Sequence, residues 1–241
     1  MPGEFFDIHC HILPGLDEGA ATTDEALRMI DVAESDGVAG IVATPHVIRG
    51  VYDNSRETIR HATALLKTSR GGYPIYPGAE IRISRDLLDT AGRQCLPLLN
   101  DKTHLLIELP ALGIPSMDTL ELILKNLRAQ DVVPLFAHPE RNAAFLRDIS
   151  LMKRLSRSGA CFQATAMSIT NHFGEGVRRK VFEMIRQGLI HVVASDAHDP
   201  RNRPPVLSAA FAAVAAEFGK LRAEELFCKT PLNIINGQGI S

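Results

Sequence analysis

The sequence predicts an α/β protein in which parallel strands form a closed or nearly closed barrel, and two patterns support this fold. Seven short apolar runs recur along the 241 residues; several are continuous and rich in β-branched side chains, as in strands buried on both faces. Amphipathic helix patterns separate the runs, and strands that alternate with helices imply a parallel sheet. No linker or internal repeat divides the chain, so we expect residues 1–241 to form a single domain. The seven predicted strands are residues 5–8, 40–44, 75–79, 105–107, 132–137, 161–165 and 192–195.

The helix patterns carry start and stop signals. Thr22-Thr23-Asp24-Glu25 predicts a capping box, in which a hydroxyl and a carboxylate satisfy backbone N–H groups at the start of a helix. Gly188 and Gly219 end two later patterns, because glycine adopts the left-handed conformation that closes a helix. Residues 81–103 form the least regular segment, and 85–93 is a candidate inserted helix within it.

Composition excludes several classes of function. The 26 Lys and Arg against 28 Asp and Glu leave a formal charge of −2, which argues against the broad basic face of a general nucleic-acid binder. No run approaches 18 consecutive apolar residues, and the N-terminus lacks the basic and apolar pattern of a signal peptide. The four cysteines are scattered, which suits a reducing compartment. We therefore expect a cytoplasmic protein with no membrane insertion.

Polar side chains follow six of the seven predicted strands. In a parallel barrel the carboxyl ends of the strands open onto one face, where active sites are built. We expect these side chains to converge in one bowl, although any one of them alone is more simply a turn or salt-bridge residue. They are His9, His11, His46, Glu80, Glu108, His138, Asp196 and His198.

The spacing of these residues favours a metal site. In His9-Cys10-His11 the two imidazoles lie on the same side of the pleat, and Asp196-Ala197-His198 repeats the arrangement. Imidazole and carboxylate ligands without thiolate suit Zn²⁺, Mn²⁺ or Fe, and eight or nine ligands are too many for one ion. Two or three ions are predicted, and clusters with ions about 3.5–4 Å apart typically act on phosphoryl groups.

Two arginines near the bowl support a phosphate substrate. Arg141 closes the segment His138-Pro139-Glu140-Arg141, and Arg203 precedes two prolines. The planar fork of arginine matches phosphate oxygens. A cysteine-based phosphatase loop is absent from the sequence, because no cysteine is followed by an arginine six positions later.

Together these motifs resemble the PHP (polymerase and histidinol phosphatase) superfamily. Within it the chain is similar to the manganese-dependent bacterial protein-tyrosine phosphatases of capsular and extracellular polysaccharide operons. The resemblance runs in order from about residue 5 to about residue 235. It is carried by DIHCHILP at residues 7–14, ATPH at 43–46, GAEI at 78–81, LIE at 106–108, AHPER at 137–141 and VASDAH at 193–198.

The resemblance implies a distorted (β/α)7 TIM-like barrel with a trinuclear site. One ion would take His9, His11 and Asp196; Glu80 would bridge to a second, completed by Glu108 and His138; His46 and His198 would hold the third. The acid of the third site would be Glu18, where the family usually has aspartate, and Asp17 is an alternative. Arg141 and Arg203 match arginines that line the phosphate pocket.

The resemblance also implies a function. We expect a metal-bridging hydroxide to hydrolyse phosphotyrosine on a protein, namely a bacterial tyrosine autokinase that controls polysaccharide export. Two to three divalent ions are implied, Mn²⁺ first, with Fe or Zn as alternatives.

Three other functions stay open at this point. The first is another PHP phosphoesterase, such as a histidinol-phosphate phosphatase, since the ligands do not set the substrate; loops at 81–103 and 111–116 would. The second is a metal-dependent amidohydrolase, which usually bridges its metals with a strand-end lysine where this chain has Glu80 and Glu108. The third is a barrel that has lost catalysis and serves as a binding module.

Overall fold

The computed structural model describes residues 4–84 and 92–240, which form parallel strands surrounded by helices. The strands lie in two sheets, in the orders β1-β2-β4 and β3-β5-β6-β7-β8-β9, and every pairing between them is parallel. The strands are β1 Phe5–Cys10, β2 Val38–Ala43, β3 His46–Val47, β4 Ile75–Pro77, β5 Glu80–Arg82, β6 His104–Glu108, β7 Val133–Ala137, β8 Cys161–Thr165 and β9 Val192–Ala194.

A second short strand follows two of the seven predicted strands, which makes nine strands in the described residues. Pro45 separates β2 from β3, because proline has no N–H for the ladder; its carbonyl accepts from Glu80 N at 3.1 Å. Gly78 separates β4 from β5, and a Cβ there would lie 2.9 Å from side-chain atoms of Leu99 and Val42. His46 and Glu80, predicted to follow strands, instead begin the short strands β3 and β5.

The first and last strands meet, as the barrel prediction requires. His11 N donates to Ala197 O, and Asp196 N donates to His9 O, each at 2.8 Å. The buried carboxylate of Asp7 accepts from Ser195 N at 3.0 Å and from Ser195 Oγ at 2.5 Å. These bonds bring the His-x-His and Asp-x-His motifs side by side.

The strand side chains alternate between two apolar clusters. Leu106 and Leu135 belong to a small cluster, while Ile107 and Phe136 belong to a large cluster that includes most of the buried helix residues. The last helix contributes to the small cluster through Ile234 and Ile235. This period of two is the pattern of strands buried on both faces.

The helices confirm most of the predicted boundaries. Thr22 Oγ1 accepts from Glu25 N at 3.2 Å, and the Glu25 carboxylate accepts from Ala21 N at 2.9 Å. Residues 85–91, most of the expected inserted helix, lie outside the described residues, and Arg93–Cys95 is a 3₁₀ turn. No helix in the described ranges has both the length and the apolar character needed to cross a membrane. The α-helices are α1 Thr23–Ser35, α2 Arg56–Ser69, α3 Met117–Arg128, α4 Ala143–Arg147, α5 Ser150–Arg157, α6 Ala166–Ile169, α7 Glu175–Arg186, α8 Ser208–Phe218, α9 Lys220–Glu224 and α10 Thr230–Asn236.

Candidate metal centre

The His-x-His motif presents two imidazole nitrogens to one point. His9 Nε2 and His11 Nε2 lie 3.2 Å apart. On their other sides, His9 Nδ1 lies 2.9 Å from Gln163 Oε1, and His11 Nδ1 lies 2.7 Å from Asp17 Oδ2. Because those oxygens are acceptors, each Nδ1 carries the proton in the neutral ring, and each Nε2 keeps a lone pair. Such an outer hydrogen bond is the usual way of orienting a metal-binding histidine.

Two buried carboxylates face these nitrogens. Glu80 Oε2 lies 3.2 Å from His9 Nε2 and 3.4 Å from His11 Nε2. Asp196 Oδ1 lies 3.4 Å and 3.5 Å from the same two atoms. The four donor atoms lie within 4.8 Å of one another, and all four residues are buried. Two nitrogens and two oxygens so arranged suit a divalent transition-metal ion.

A second group of donors lies beside the first. Nitrogens of His11, His46 and His198 approach within 4.8 Å of one another. Glu18 Oε1 lies 3.1 Å from His46 Nε2 and 3.9 Å from His198 Nε2. His198 Nδ1 donates to the Asp196 carbonyl at 3.0 Å, which leaves its Nε2 free to bind.

The two acids at positions 17 and 18 are placed differently. Asp17 accepts from Gly19 N at 2.9 Å and from His46 N at 2.8 Å, besides its contact with His11. Glu18 is partly exposed, and its carboxylate accepts a hydrogen bond from the Tyr52 hydroxyl. Asp17 therefore orients its neighbours, while Glu18 reaches the histidines.

A third group forms around Glu80. Oxygen and nitrogen donors of His46, Glu80 and Glu108 lie within 4.8 Å of one another. His138 Nε2 lies 2.9 Å from Glu80 Oε1, so the two oxygens of Glu80 face different sides of the bowl. Glu108 Oε2 also accepts from Arg82, from Nε at 2.8 Å and from Nη2 at 2.7 Å. The structure thus brings all nine predicted metal-site residues into one continuous cluster.

Both predicted arginines contact the outer oxygen of Asp196. Arg141 Nη1 lies 2.5 Å and Arg203 Nη2 lies 2.7 Å from Asp196 Oδ2, while Oδ1 faces the histidines. The Nε atom of Arg203 is buried and has no hydrogen-bond partner among the described residues. Asp196 therefore joins the histidine cluster to the two guanidinium groups.

Two residues of the cluster have a strained backbone conformation. His138 has φ 34° and Asp196 has φ 55°, the left-handed region that side chains other than glycine's rarely adopt. His138 follows β7 directly and Asp196 lies two residues after β9, so both conformations occur where a strand ends at the bowl. Strain of this kind persists where the surrounding structure enforces it, and it is typical of functional sites.

The electrostatics are those of buried acids surrounded by imidazoles. Burial alone would raise the pKa values of Glu80 and Asp196, but His9 and His11 more than offset it and hold both well below the usual range. Burial alone would lower the pKa of His11, but Asp17, Asp196 and Glu80 raise it well above its ordinary value. Burial and the neighbouring His11 lower the pKa of His198 to about 3.

Sequence reasoning missed two residues of the site. Gln163 was assigned no role, although a polar side chain within the buried strand β8 signals an internal partner, here His9. Tyr52, whose ring stacks on His46 with centroids 6.1 Å apart, lies in the turn after β3. No pattern in its neighbourhood indicates that contact.

A family model described as "Capsular polysaccharide synthesis, CpsB/CapC" matches residues 5–236. The chain belongs to this family. The prediction drawn from the motifs is thereby confirmed.

Named relatives and solved structures extend the match. The chain is 35% identical over 217 residues to the tyrosine-protein phosphatase YwqE of Bacillus subtilis, covering 88% of this chain and 85% of YwqE. It is 29% identical over 245 residues to the tyrosine-protein phosphatase CpsB of Streptococcus pneumoniae, covering 96% and 98%. One solved structure matches with TM-score 0.92 at 32% identity, over 98% of this chain and 96% of the other. It comes from a study of YwqE and CpsB, which are described there as unique metal-dependent tyrosine phosphatases.

A more distant neighbour shows the fold alone. A phosphotriesterase homology protein from Escherichia coli matches with TM-score 0.60 at 10% identity, over 96% of this chain and 98% of the other. The likeness supports the predicted TIM-like barrel class.

Proposed function

We propose that the protein is a metal-dependent phosphatase that hydrolyses phosphotyrosine on a protein substrate. The observation that carries the proposal is the bowl itself, in which histidines and acids converge beside two arginines. The names of the relatives support the same activity. A cysteine nucleophile is disfavoured, because Cys10, the cysteine within the motif, is fully buried and burial raises the pKa of its thiol.

The donor set fits divalent metal ions. Three imidazoles hold their Nδ1 atoms against oxygen acceptors and leave Nε2 toward the cluster. The buried Nδ1 of His46 lies 3.1 Å from Glu80 Oε2, but the geometry is not that of a hydrogen bond. We assign two to three ions, Mn²⁺ first, with Fe or Zn as alternatives. The proposed ligands are His9, His11, Glu18, His46, Glu80, Glu108, His138, Asp196 and His198.

Different residues of the site have different roles in the proposed reaction. When bound, the ions would lower the pKa of coordinated water and offset charge on the phosphoryl oxygens. Gln163 and Asp17 keep His9 and His11 in the tautomer that leaves Nε2 free to bind. Arg141 and Arg203 carry N–H donors that match the oxygens of a phosphoryl group as its charge grows.

The identity of the protein substrate and the biological role belong to the same proposal. The protein substrate is a bacterial tyrosine autokinase, and the activity regulates capsular or extracellular polysaccharide synthesis. The family description supports the role in capsular polysaccharide synthesis. The proposal also includes a cytoplasmic location and a single domain over residues 1–241.

The test measures phosphate release from a phosphotyrosine peptide and from histidinol phosphate, using metal-stripped protein with and without Mn²⁺. We expect metal-dependent release from the peptide, abolished in His138→Ala and retained in His61→Ala, a control histidine exposed on α2. Release from histidinol phosphate alone would replace the proposed substrate by a metabolite. No release from either by the metal-bound protein would overturn the phosphatase proposal.

A further inference from the structure

Arg141 is held by two contacts of different kinds, and only one of them is to a proposed metal ligand. One Nη atom bonds to Asp196 Oδ2. The guanidinium carbon also lies 4.9 Å from the ring centroid of Phe173, the geometry of a cation–π contact. A guanidinium has five N–H donors, and among the described residues Asp196 is the one hydrogen-bond partner of Arg141. The remaining donors are therefore available to an anion.

The aromatic contact comes from a segment that is itself tied to the turn carrying the arginine. Phe173 lies in the turn between α6 and α7, and its ring packs edge-on against His172 with centroids 5.1 Å apart. Glu140, adjacent to Arg141, is fully buried and accepts from Thr165 N and Ser168 Oγ, each at 2.8 Å. The turn carrying Arg141 is thus anchored to the start of α6, and the chain leaving α6 carries Phe173.

We propose that Phe173 is a positioning residue, which holds the Arg141 guanidinium beside Asp196. The free N–H groups of Arg141 then meet the phosphoryl group. This inference rests on the proposed function. A long side chain that is 30% exposed has several rotamers to choose among. The ring face restricts that choice without using any hydrogen-bond donor. The phosphate then binds to a guanidinium that is already in place, and less entropy is lost on binding.

The test compares Phe173→Leu with a matched control elsewhere on the molecule. Arg178 lies over Phe182 at the same 4.9 Å within α7, and neither residue is in the metal-site cluster, so Phe182→Leu removes a comparable contact that does not involve Arg141. Phe173→Tyr keeps the ring and should rescue the effect of the leucine variant. The measurements are kcat and KM for a phosphotyrosine peptide, the Kd of inorganic phosphate for the Mn²⁺-loaded protein by calorimetry, and the bound metal.

We expect Phe173→Leu to lose about three- to thirtyfold in kcat/KM and to weaken phosphate binding, the range that corresponds to one cation–π contact. Bound metal should be unchanged, and Phe182→Leu and Phe173→Tyr should stay within about twofold of wild type. In an Arg141→Ala background, Phe173→Leu should have no further effect, since a residue acting through Arg141 has nothing left to position.

Three outcomes would overturn the inference. They are unchanged phosphate affinity in Phe173→Leu, an equal loss in Phe182→Leu, or a full additional loss in the Arg141→Ala background. Phosphate affinity separates this inference from the proposed function. A wild-type protein that binds phosphate but hydrolyses no phosphotyrosine would sink the function, while weaker binding in Phe173→Leu would still support the positioning role.

Discussion

The His-x-His pair at the carboxyl ends of the strands and two histidines at the amino ends have pKa values that shift in opposite directions. At the carboxyl ends of the strands, neighbouring carboxylates raise the pKa values of His9 and His11 above the ordinary value although burial opposes this. At the amino ends, burial lowers the pKa of His191 and takes that of His104 to about 4. His104 Nε2 is buried without a hydrogen bond among the described residues.

The difference lies in what surrounds each ring. Burial alone favours the neutral imidazole, since a charged group loses its hydration in an apolar environment. The acids beside His9 and His11 reverse the direction. His198 keeps a lowered pKa, because burial and the neighbouring His11 outweigh Asp196. The same acids make the cluster a place where a cation can replace protons. A buried histidine therefore indicates a site only when acids accompany it, and the following four experiments test that distinction.

The largest effect is expected from Asp196→Ala, which removes one donor from the histidine cluster and the shared partner of both arginines. We expect kcat/KM toward a phosphotyrosine peptide to fall by roughly 10³-fold or more, with loss of bound metal. Metal content by elemental analysis accompanies the assay. Asp118→Ala, at an exposed acid of α3, is the control. Activity above about a tenth of wild type would contradict the proposed site.

Arg203→Ala should cost about 10²-fold in kcat/KM and leave bound metal unchanged, because Arg203 contacts Asp196 Oδ2 and is not among the proposed metal ligands. Arg201→Ala, two residues earlier in the same turn and exposed, should remain near wild type. Loss of metal in Arg203→Ala would show that the arginine supports the cluster rather than the substrate.

Asp17→Asn tests the hydrogen bond that orients His11 from the side away from the cluster. The change keeps the shape of the side chain but removes the carboxylate that accepts from His11 Nδ1. We expect Mn²⁺ affinity, measured by calorimetry, to weaken about 10- to 100-fold. Asp24→Asn, at an exposed acid in the first turn of α1, is the control. A loss far beyond that range would make Asp17 a ligand in its own right.

His104→Leu tests a histidine at the amino ends of the strands, and the quantity measured is the free energy of unfolding rather than activity. The folded protein holds the pKa of His104 at about 4 against 6.5 unfolded, so the unfolded state binds more protons below about pH 6.5. Wild-type stability is therefore lost as the pH falls from about 6.5 toward 4. At about 1.36 kcal/mol per pH unit, the wild type should lose about 2 kcal/mol more than the variant between pH 7 and pH 5.

Urea unfolding at several pH values measures that difference, and turnover near neutral pH should be unchanged in His104→Leu. A variant as acid-sensitive as the wild type would show that His104 is not the group that titrates.

Much of this molecule could be predicted from its sequence because its motifs are tied to strand ends. The alternation of apolar runs and helices predicted the fold class, and the family suggested by the motifs is confirmed. The short strands after Pro45 and Gly78 were not predicted, since the pairing of Pro45 O with Glu80 N and the packing of Gly78 against Leu99 join residues distant in the chain. For the same reason no local pattern indicates the partners of Gln163 or the placement of Phe173 over Arg141.

The bonds that join β1 to the end of β9 have a consequence for how the molecule is made. Asp7 and Ser195 are 188 residues apart in the chain. The His-x-His and Asp-x-His motifs therefore meet only after most of the polypeptide has been synthesised. A chain leaving the ribosome exposes His9 and His11 long before Asp196 is synthesised. The full set of proposed metal ligands therefore exists only after Asp196 and His198 have been synthesised, and capture of metal would report that the first and last strands have come together.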